Sequence, residues 1–184
     1  YVKHISYAVS MTELVLLGRI IYKWKISLNT AQVHFHRQGY RFIAAADMWV
    51  FLNLLLAIIM SVPVINVYTH GTHVTVAHSM GATIGINTML LLAFAYDILG
   101  PSAEGRYKNL MKYGYWLTNL SLFVFWLSLI TAGILKSRWQ MSEEQIPFST
   151  MMLQLRPFFI LFVTAGVFLA SGLLMSIYPL LRKK

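Results

Sequence analysis

Five long apolar runs divide this chain, and short stretches rich in polar residues separate them. A helix needs about 20 consecutive, mostly apolar residues to cross the hydrocarbon core of a bilayer, and each run is close to that length. The pattern therefore predicts five membrane-spanning helices, called spans one to five below: Ile5–Tyr22, Phe42–Val67, Val74–Ile98, Tyr115–Leu135 and Pro157–Leu181. Since neither an internal repeat nor a low-complexity linker interrupts the runs, we expect residues 1–184 to form a single transmembrane bundle.

Glycine and proline mark the expected boundaries of these spans. Pro63 and Gly71 bracket the second connection, and Gly100–Pro101 is expected to stop span three. Pro157 suits the first turn of span five, where a missing N–H is tolerated. The chain begins at Tyr1 without a signal-peptide pattern, so we expect it to be part of a longer protein.

Composition excludes a soluble globular domain. Hydrophobic residues make up 58% of the chain and charged residues only 11%, whereas soluble domains carry roughly a quarter charged residues. Membrane lipid must therefore be the outer solvent. The formal net charge of +9 does not indicate nucleic acid, because the basic residues lie in the connections and form no stripe with aromatic residues. The absence of cysteine excludes disulfides, iron–sulfur ligation and thiol catalysis.

The basic residues predict an orientation. Connections one and three and the C-terminal tail each carry a group of Lys and Arg, whereas Pro63–His73 carries none. Cytoplasmic connections are enriched in these residues, so Pro63–His73 is expected to face the outside. With an odd number of spans, the N-terminus of this segment then lies outside and the C-terminus lies in the cytoplasm.

One histidine lies within the apolar part of span three. His78 is about 7 Å past the outer end of that span, at 1.5 Å per residue. Its ring nitrogens need a partner there, either in a hydrogen bond between helices or as an axial ligand of haem iron. Met80 points roughly 200° away from His78, so one helix could serve two haems, although packing is the commoner role of methionine. The neighbouring small residues predict either close helix packing or room for flat macrocycles: Ser79, Gly81, Ala82 and Gly85.

The stretch Val64–Met89 contains the sequence Asn-Val-Tyr-Thr-His-Gly-Thr-His-Val-Thr-Val-Ala-His. It closely resembles the tenth helix of the large subunit of bacterial nitric-oxide reductase, in the haem–copper oxidase superfamily. His70 and His78 have the spacing of the corresponding segment of the oxidases. The resemblance extends more loosely over the chain. It implies an all-α membrane protein of five helices, matching helices eight to twelve of a twelve-helix fold, and hence the C-terminal part of a larger subunit.

The resemblance implies that His78 ligates high-spin haem b. In the family, a second histidine two positions further on ligates a low-spin haem b from the other face of the helix, but this sequence has Met80 there. Either Met80 ligates that haem, with a raised potential, or the haem is bound differently. The family's non-haem iron ligands lie on upstream helices and are absent from this sequence.

Three residues near the expected outer face resemble the region of the haem propionates. His70 corresponds to a residue in that polar cluster, with an ordinary interfacial histidine as the alternative. Lys136 and Arg138 stand where oxidases place basic residues that pair with propionates. His73 is interpreted as interfacial.

Glu13 is a charged residue within span one, and no Lys or Arg lies within one helical turn of it. Such a carboxyl is expected to keep its proton. The family has a glutamate at the matching place that is implicated in proton supply, and a structural carboxyl is the alternative. Asp47 is interpreted as an interfacial anchor, while Asn87 and Thr88 are expected to form hydrogen bonds between helices.

The resemblance implies a respiratory enzyme of the bacterial cytoplasmic membrane that converts two NO, two electrons and two protons into N2O and water. A cytochrome c subunit or quinol would donate the electrons, and upstream helices of the same subunit would complete the site. The sequence leaves open a related oxygen reductase, a nitric-oxide dismutase, a non-catalytic membrane cytochrome subunit and a haem-free helical bundle.

Overall fold

The computed structural model describes residues 38–99, 107–143 and 146–182, together with residues 5, 9, 12, 15, 16, 18–20, 22 and 23. Within these ranges the elements are helical and run in the order α1, α2, α3, a π-helical segment, α4, α5 and α6. Their bounds are Gln38–Ser61, Pro63–Thr69, His73–Met80, Gly81–Thr88, Met89–Leu99, Lys108–Met141 and Phe148–Leu181. The described residues of span one are helical, but half of that span, including Glu13, lies outside the described residues.

Four helices in the described ranges are long and apolar enough to cross a membrane: Gln38–Ser61, His73–Leu99, Lys108–Met141 and Phe148–Leu181. The second of these consists of α3, the π-helical segment and α4 in one continuous rod. The predicted all-helical membrane fold is confirmed, and these four helices correspond to spans two to five.

Span two ends earlier than the sequence predicted. Val62 precedes a proline and has an extended backbone, with φ −64° and ψ 119°, because the proline ring disfavours a helical conformation in the residue before it. α1 therefore stops at Ser61, and Pro63 opens the separate short helix α2. A sharp turn follows, in which Gly71 has a φ of +69° that favours glycine.

The prediction that Pro157 lies in the first turn of span five is wrong. α6 begins at Phe148, after Pro147, and Pro157 lies inside it. The backbone N–H of Thr150 donates to the carbonyl of Pro147 at 2.9 Å. Met151 and Leu155 are buried against Ala132 of α5, and this packing stabilises the first part of α6. Polar residues at 149, 150, 154 and 156 interrupt the apolar pattern there, so the sequence did not predict this part as helix.

The core lies where α1, the π-helical segment and α5 meet. Trp49 of α1 is fully buried and meets Trp126 of α5 edge to face, with ring centroids 6.0 Å apart. Nearer the other end of α1, Phe42 stacks on Tyr96 of α4 at 5.4 Å. The Phe42–Tyr96 contact holds the rod His73–Leu99 against α1, and the Trp49–Trp126 contact holds α1 against α5.

Candidate functional site

Helix α3 begins at a defined point, because Thr72 caps it. The Thr72 hydroxyl oxygen accepts a hydrogen bond from the backbone N–H of Val74 at 3.3 Å, which satisfies one of the free donors at a helix N-terminus. Val74 and Ala77 are buried, and this buried face continues through Gly81 and Gly85. It faces the rest of the bundle.

His78 and Met80 lie on either side of that buried face. Both side chains are half-buried, and both belong to α3. At 100° per residue their directions differ by about 200°. The backbone therefore has the geometry that the sequence predicted for these two residues, with one ligand-type atom available on each flank of the helix.

His78 has an unsatisfied polar atom. Its Nδ1 is buried and has no hydrogen-bond partner among the residues that the structure describes. The hydrogen bond between helices, which the sequence left open for His78, is therefore not formed within this part of the chain. Leaving such a buried polar group unpaired costs about 1–3 kcal/mol. A half-buried imidazole with a nitrogen still in need of a partner fits axial ligation of haem iron, in which the second nitrogen is bonded to a neighbouring acceptor.

Met80 already has packing partners within the bundle. Its side chain is half-buried and packs against the main hydrophobic cluster. The packing interpretation of Met80 therefore has direct support. Ligation by the same thioether stays a prediction, and an unbranched, flexible side chain is compatible with both.

Gly81 and Gly85 serve close packing. A Cβ added to Gly81 would lie 2.5 Å from the Oδ1 of Asn53, and one added to Gly85 would lie 2.5 Å from the Cγ of Trp49. For these two residues the structure therefore favours helix packing over space for a macrocycle. Ser79, by contrast, is exposed, and its hydroxyl donates to the carbonyl of Thr75 in its own helix at 3.1 Å.

A buried polar group beside these glycines was not anticipated from the sequence. The indole N–H of Trp49 donates to the Oδ1 of Asn119 at 3.2 Å, and the Nδ2 of Asn119 donates to the carbonyl of Tyr115 at 2.9 Å. The Oδ1 of Asn53 and the Nε1 of Trp126 are buried without a partner in the described ranges. The presence of tryptophan and asparagine within apolar runs could have indicated such a polar group. Which tryptophan bonds to which asparagine depends on the fold.

The three residues expected near the outer face lie at the same end of the bundle. Ser137 lies between Lys136 and Arg138, and its hydroxyl donates to the carbonyl of Tyr68 near the end of α2. This bond places the end of α5 beside the turn that carries His70. His70 and Arg138 are exposed, while Lys136 is half-buried. The structure therefore brings these three predicted residues to the same end.

His73 is more than an interfacial residue. Its ring packs against Phe159 of α6 with centroids 5.3 Å apart, and its Nδ1 is buried without a described hydrogen-bond partner. The ammonium group of Lys136 acts electrostatically on the same ring. The ring of His73 thus packs α3 against α6, and Lys136 of α5 lies close enough to act on it electrostatically.

The weaker predictions had mixed outcomes. Asp47 is exposed on α1, and its role as an anchor stays a prediction. Thr88 does not bond to another helix as expected, because its hydroxyl donates to the carbonyl of Thr83 in the same rod at 3.0 Å. Asn87 is exposed. No group of three or more His, Asp or Glu side chains that could hold a metal ion occurs among the described residues.

An apolar helical bundle with an imidazole and a thioether on opposite flanks of one membrane-spanning helix has the features of a haem-binding membrane protein. Comparison with known proteins agrees. Residues 1–168 match the family described as Cytochrome C and Quinol oxidase polypeptide I, so the chain belongs to this family of haem–copper oxidases. Membership implies haem cofactors generally.

A curated relative is similar to a large part of this chain. It is a subunit of the nitric oxide reductase of Stutzerimonas stutzeri, and it is 29% identical over 142 residues. The match covers 72% of this chain but only 28% of the relative. The chain therefore spans well under half the length of the curated protein that it matches.

Proposed function

We propose that this chain is the haem-binding C-terminal part of a respiratory nitric-oxide reductase, which converts two NO, two electrons and two protons into N2O and water. The observation that carries the proposal is His78, which is half-buried and whose Nδ1 has no partner among the described residues. It lies in a segment with the family's motif. The similarity to a nitric oxide reductase subunit supports the choice of substrate.

His78 would be the axial ligand of high-spin haem b, and Met80 would be a ligand of low-spin haem b on the other flank of α3. When bound, haem iron supplies the redox chemistry and binds the substrate. The chain's own part is to hold an imidazole at a fixed angle, through the cap at Thr72 and the close packing at Gly81 and Gly85. His70, Lys136 and Arg138 would face the propionates, since they gather at one end of the bundle.

Glu13 would relay protons to the active site. Nitric-oxide reduction consumes protons, and a carboxyl that keeps its proton in apolar surroundings can accept and release one in turn. The assignment is based on the sequence and the family resemblance, because Glu13 lies outside the described residues.

The other parts of the proposal follow from the resemblance. Non-haem iron would be held by upstream residues of the same subunit, and electrons would come from a cytochrome c subunit or quinol. The protein would reside in the bacterial cytoplasmic membrane, with the turn at Gly71 facing outside. Lys and Arg are absent from Pro63–His73 and frequent in both flanking connections, which supports this orientation.

A related oxygen reductase is the second candidate, because the matching family is described by its oxidases. The complete enzyme, purified with its haems, should be supplied with reduced electron donor and then with either NO or O2. The proposal predicts N2O formation at a turnover well above that of O2 consumption. Rapid O2 consumption without N2O would contradict it and support the oxygen reductase.

A further inference from the structure

Two tryptophans and two asparagines form a polar layer inside the bundle, between α1 and α5. On α1, Trp49 and Asn53 are four residues apart, and on α5, Asn119 and Trp126 are seven residues apart. Both spacings place the two side chains on nearly the same face of their helix. Trp49 is fully buried, and the exposed fractions of Asn53, Asn119 and Trp126 are 4%, 6% and 7%. Polar groups thus lie in the interior of a membrane-spanning bundle.

The polar layer contains two tryptophan–asparagine pairs of opposite direction. In the first pair, the indole N–H of Trp49 on α1 donates to the Oδ1 of Asn119 on α5 at 3.2 Å. In the second pair the tryptophan is on α5 and the asparagine on α1, so that Trp126 offers a donor and Asn53 an acceptor. Neither of these two atoms has a hydrogen-bond partner among the residues that the structure describes. The first pair is therefore joined by a direct bond, and the second pair is not.

Gly81 lies beside both atoms of the second pair. A Cβ built on Gly81 would be 2.5 Å from the Oδ1 of Asn53 and 3.4 Å from the Nε1 of Trp126. The two atoms are therefore at most 5.9 Å apart, the total of these two distances. The backbone N–H of Gly81 does not pair with the Oδ1, because it donates to the carbonyls of Ala77 and His78 in its own rod. Hydrogen bonds have lengths of about 2.7–3.2 Å, so one water molecule can reach both atoms.

Water suits this pair better than a further protein group does. Both atoms are already enclosed by the packed helices. A side chain from elsewhere in the complete enzyme could reach them only by separating α1, α5 and the π-helical segment. A buried donor and a buried acceptor are each costly when they lack a partner. A buried water typically forms about three hydrogen bonds to such groups, and it can accept from the donor while it donates to the acceptor.

We propose that Asn53, Trp126 and Gly81 form a binding site for one structural water molecule inside the bundle. The indole N–H of Trp126 donates to the water oxygen, and the water donates to the Oδ1 of Asn53. The water thus forms the second polar link between α1 and α5, next to the direct link from Trp49 to Asn119.

The position of this water site gives it a place beside the candidate functional site. Gly81 begins the π-helical segment, and such segments are frequent at functional sites. Gly81 is three residues from His78, or about 4.5 Å along the helix axis. Because neither His78 nor Met80 takes part, the water site does not depend on the haem assignments.

The test is an experimental map of the complete enzyme at a resolution that shows ordered waters. We expect a density peak within about 3.2 Å of both the Nε1 of Trp126 and the Oδ1 of Asn53. The bond from Trp49 to Asn119 is the internal reference, since a direct bond of 3.2 Å leaves no room for a peak between its atoms. A map without a peak at the second pair overturns the proposal, and so does a direct bond from Trp126 to Asn53.

Asn53→Leu tests the role of the acceptor, because leucine has a similar volume and no polar atom. This variant should lose the water peak and keep the bond from Trp49 to Asn119. Asn119→Leu is the matched control, which removes the direct bond and should keep the water peak. A peak that persists beside Trp126 in Asn53→Leu would show that Asn53 does not hold the water, which also overturns the proposal. If Asn53→Leu does not assemble, the wild-type map still decides.

Discussion

At the scale of single residues, His78 and Met80 differ in what their surroundings provide. The Nδ1 of His78 is buried without a described partner, whereas Met80 packs against the main hydrophobic cluster. The imidazole therefore lacks a hydrogen-bond partner in the described ranges, while the thioether side chain already contributes to packing. Ligation by Met80 is the part of the proposed site that most needs a direct test.

Replacing Met80 by leucine keeps an apolar side chain of similar volume, which cores usually tolerate at a cost below about 1.5 kcal/mol. If Met80 ligates the low-spin haem, Met80→Leu should abolish the ferric thioether-to-iron charge-transfer band in the near infrared. Met80→His should restore a six-coordinate haem with a lower midpoint potential, since a His/Met pair raises it. A low-spin spectrum identical to wild type in Met80→Leu would show that Met80 only packs.

Glu13→Gln removes a proton-exchanging group while keeping the shape of the side chain. A positioned acid or base typically contributes about 10²–10⁴-fold to a rate, so NO turnover should fall by about 10²-fold in the complete enzyme. Both haem spectra should stay normal. Wild-type turnover in a spectroscopically intact variant would reduce Glu13 to a structural carboxyl.

At the scale of elements, the hydropathy of the sequence predicted where the long helices lie but not where they end. Helix ends extend past the apolar runs, as at Lys108 and Phe148, because polar residues can continue a helix into the headgroup region. The early end of α1 at Ser61 was readable from Pro63, since proline restricts the preceding residue. Pro157 misled the prediction because neighbouring packing holds the helix together around it.

The close approach of the π-helical segment to α1 leads to a stability prediction. The Cβ of Gly85→Ala would meet the ring of buried Trp49 at 2.5 Å, and overpacking of this kind costs about 1–3 kcal/mol. Gly166→Ala on α6 is the control, because its Cβ would meet Phe125 at an ordinary 3.6 Å. In thermal unfolding in detergent, Gly85→Ala should lower the midpoint and Gly166→Ala should not. Equal midpoints for the two variants would mean that Trp49 moves aside without cost.

At the scale of the whole molecule, the sequence predicts which residues could bind haem, but it does not predict which helices pack against each other. The relative directions of the His78 and Met80 side chains follow from helix periodicity alone. The bond from Trp49 to Asn119 joins residues 70 positions apart, and the contact of His73 with Phe159 joins α3 to α6. Hydropathy carries no information about which helices pair, so these contacts could not be predicted.

The proposed orientation is a property of the whole bundle. A reporter enzyme fused at Gly71, in the connection without Lys or Arg, should behave as exported, and one fused after Lys112 should behave as cytoplasmic. Activity of the Gly71 fusion in the cytoplasm would reverse the orientation. It would also place His70, Lys136 and Arg138 at the cytoplasmic face.

The most direct test of the central claim is the haem content of His78→Ala in the complete enzyme. Optical and electron paramagnetic resonance spectra, with a pyridine haemochrome assay for total haem, should show loss of the high-spin haem and retention of the low-spin haem. N2O formation should fall to background. Ser79→Ala, at an exposed position next to His78 on the same helix, is the control and should retain the high-spin spectrum. Full retention of high-spin haem in His78→Ala would contradict the assignment of His78 as its ligand.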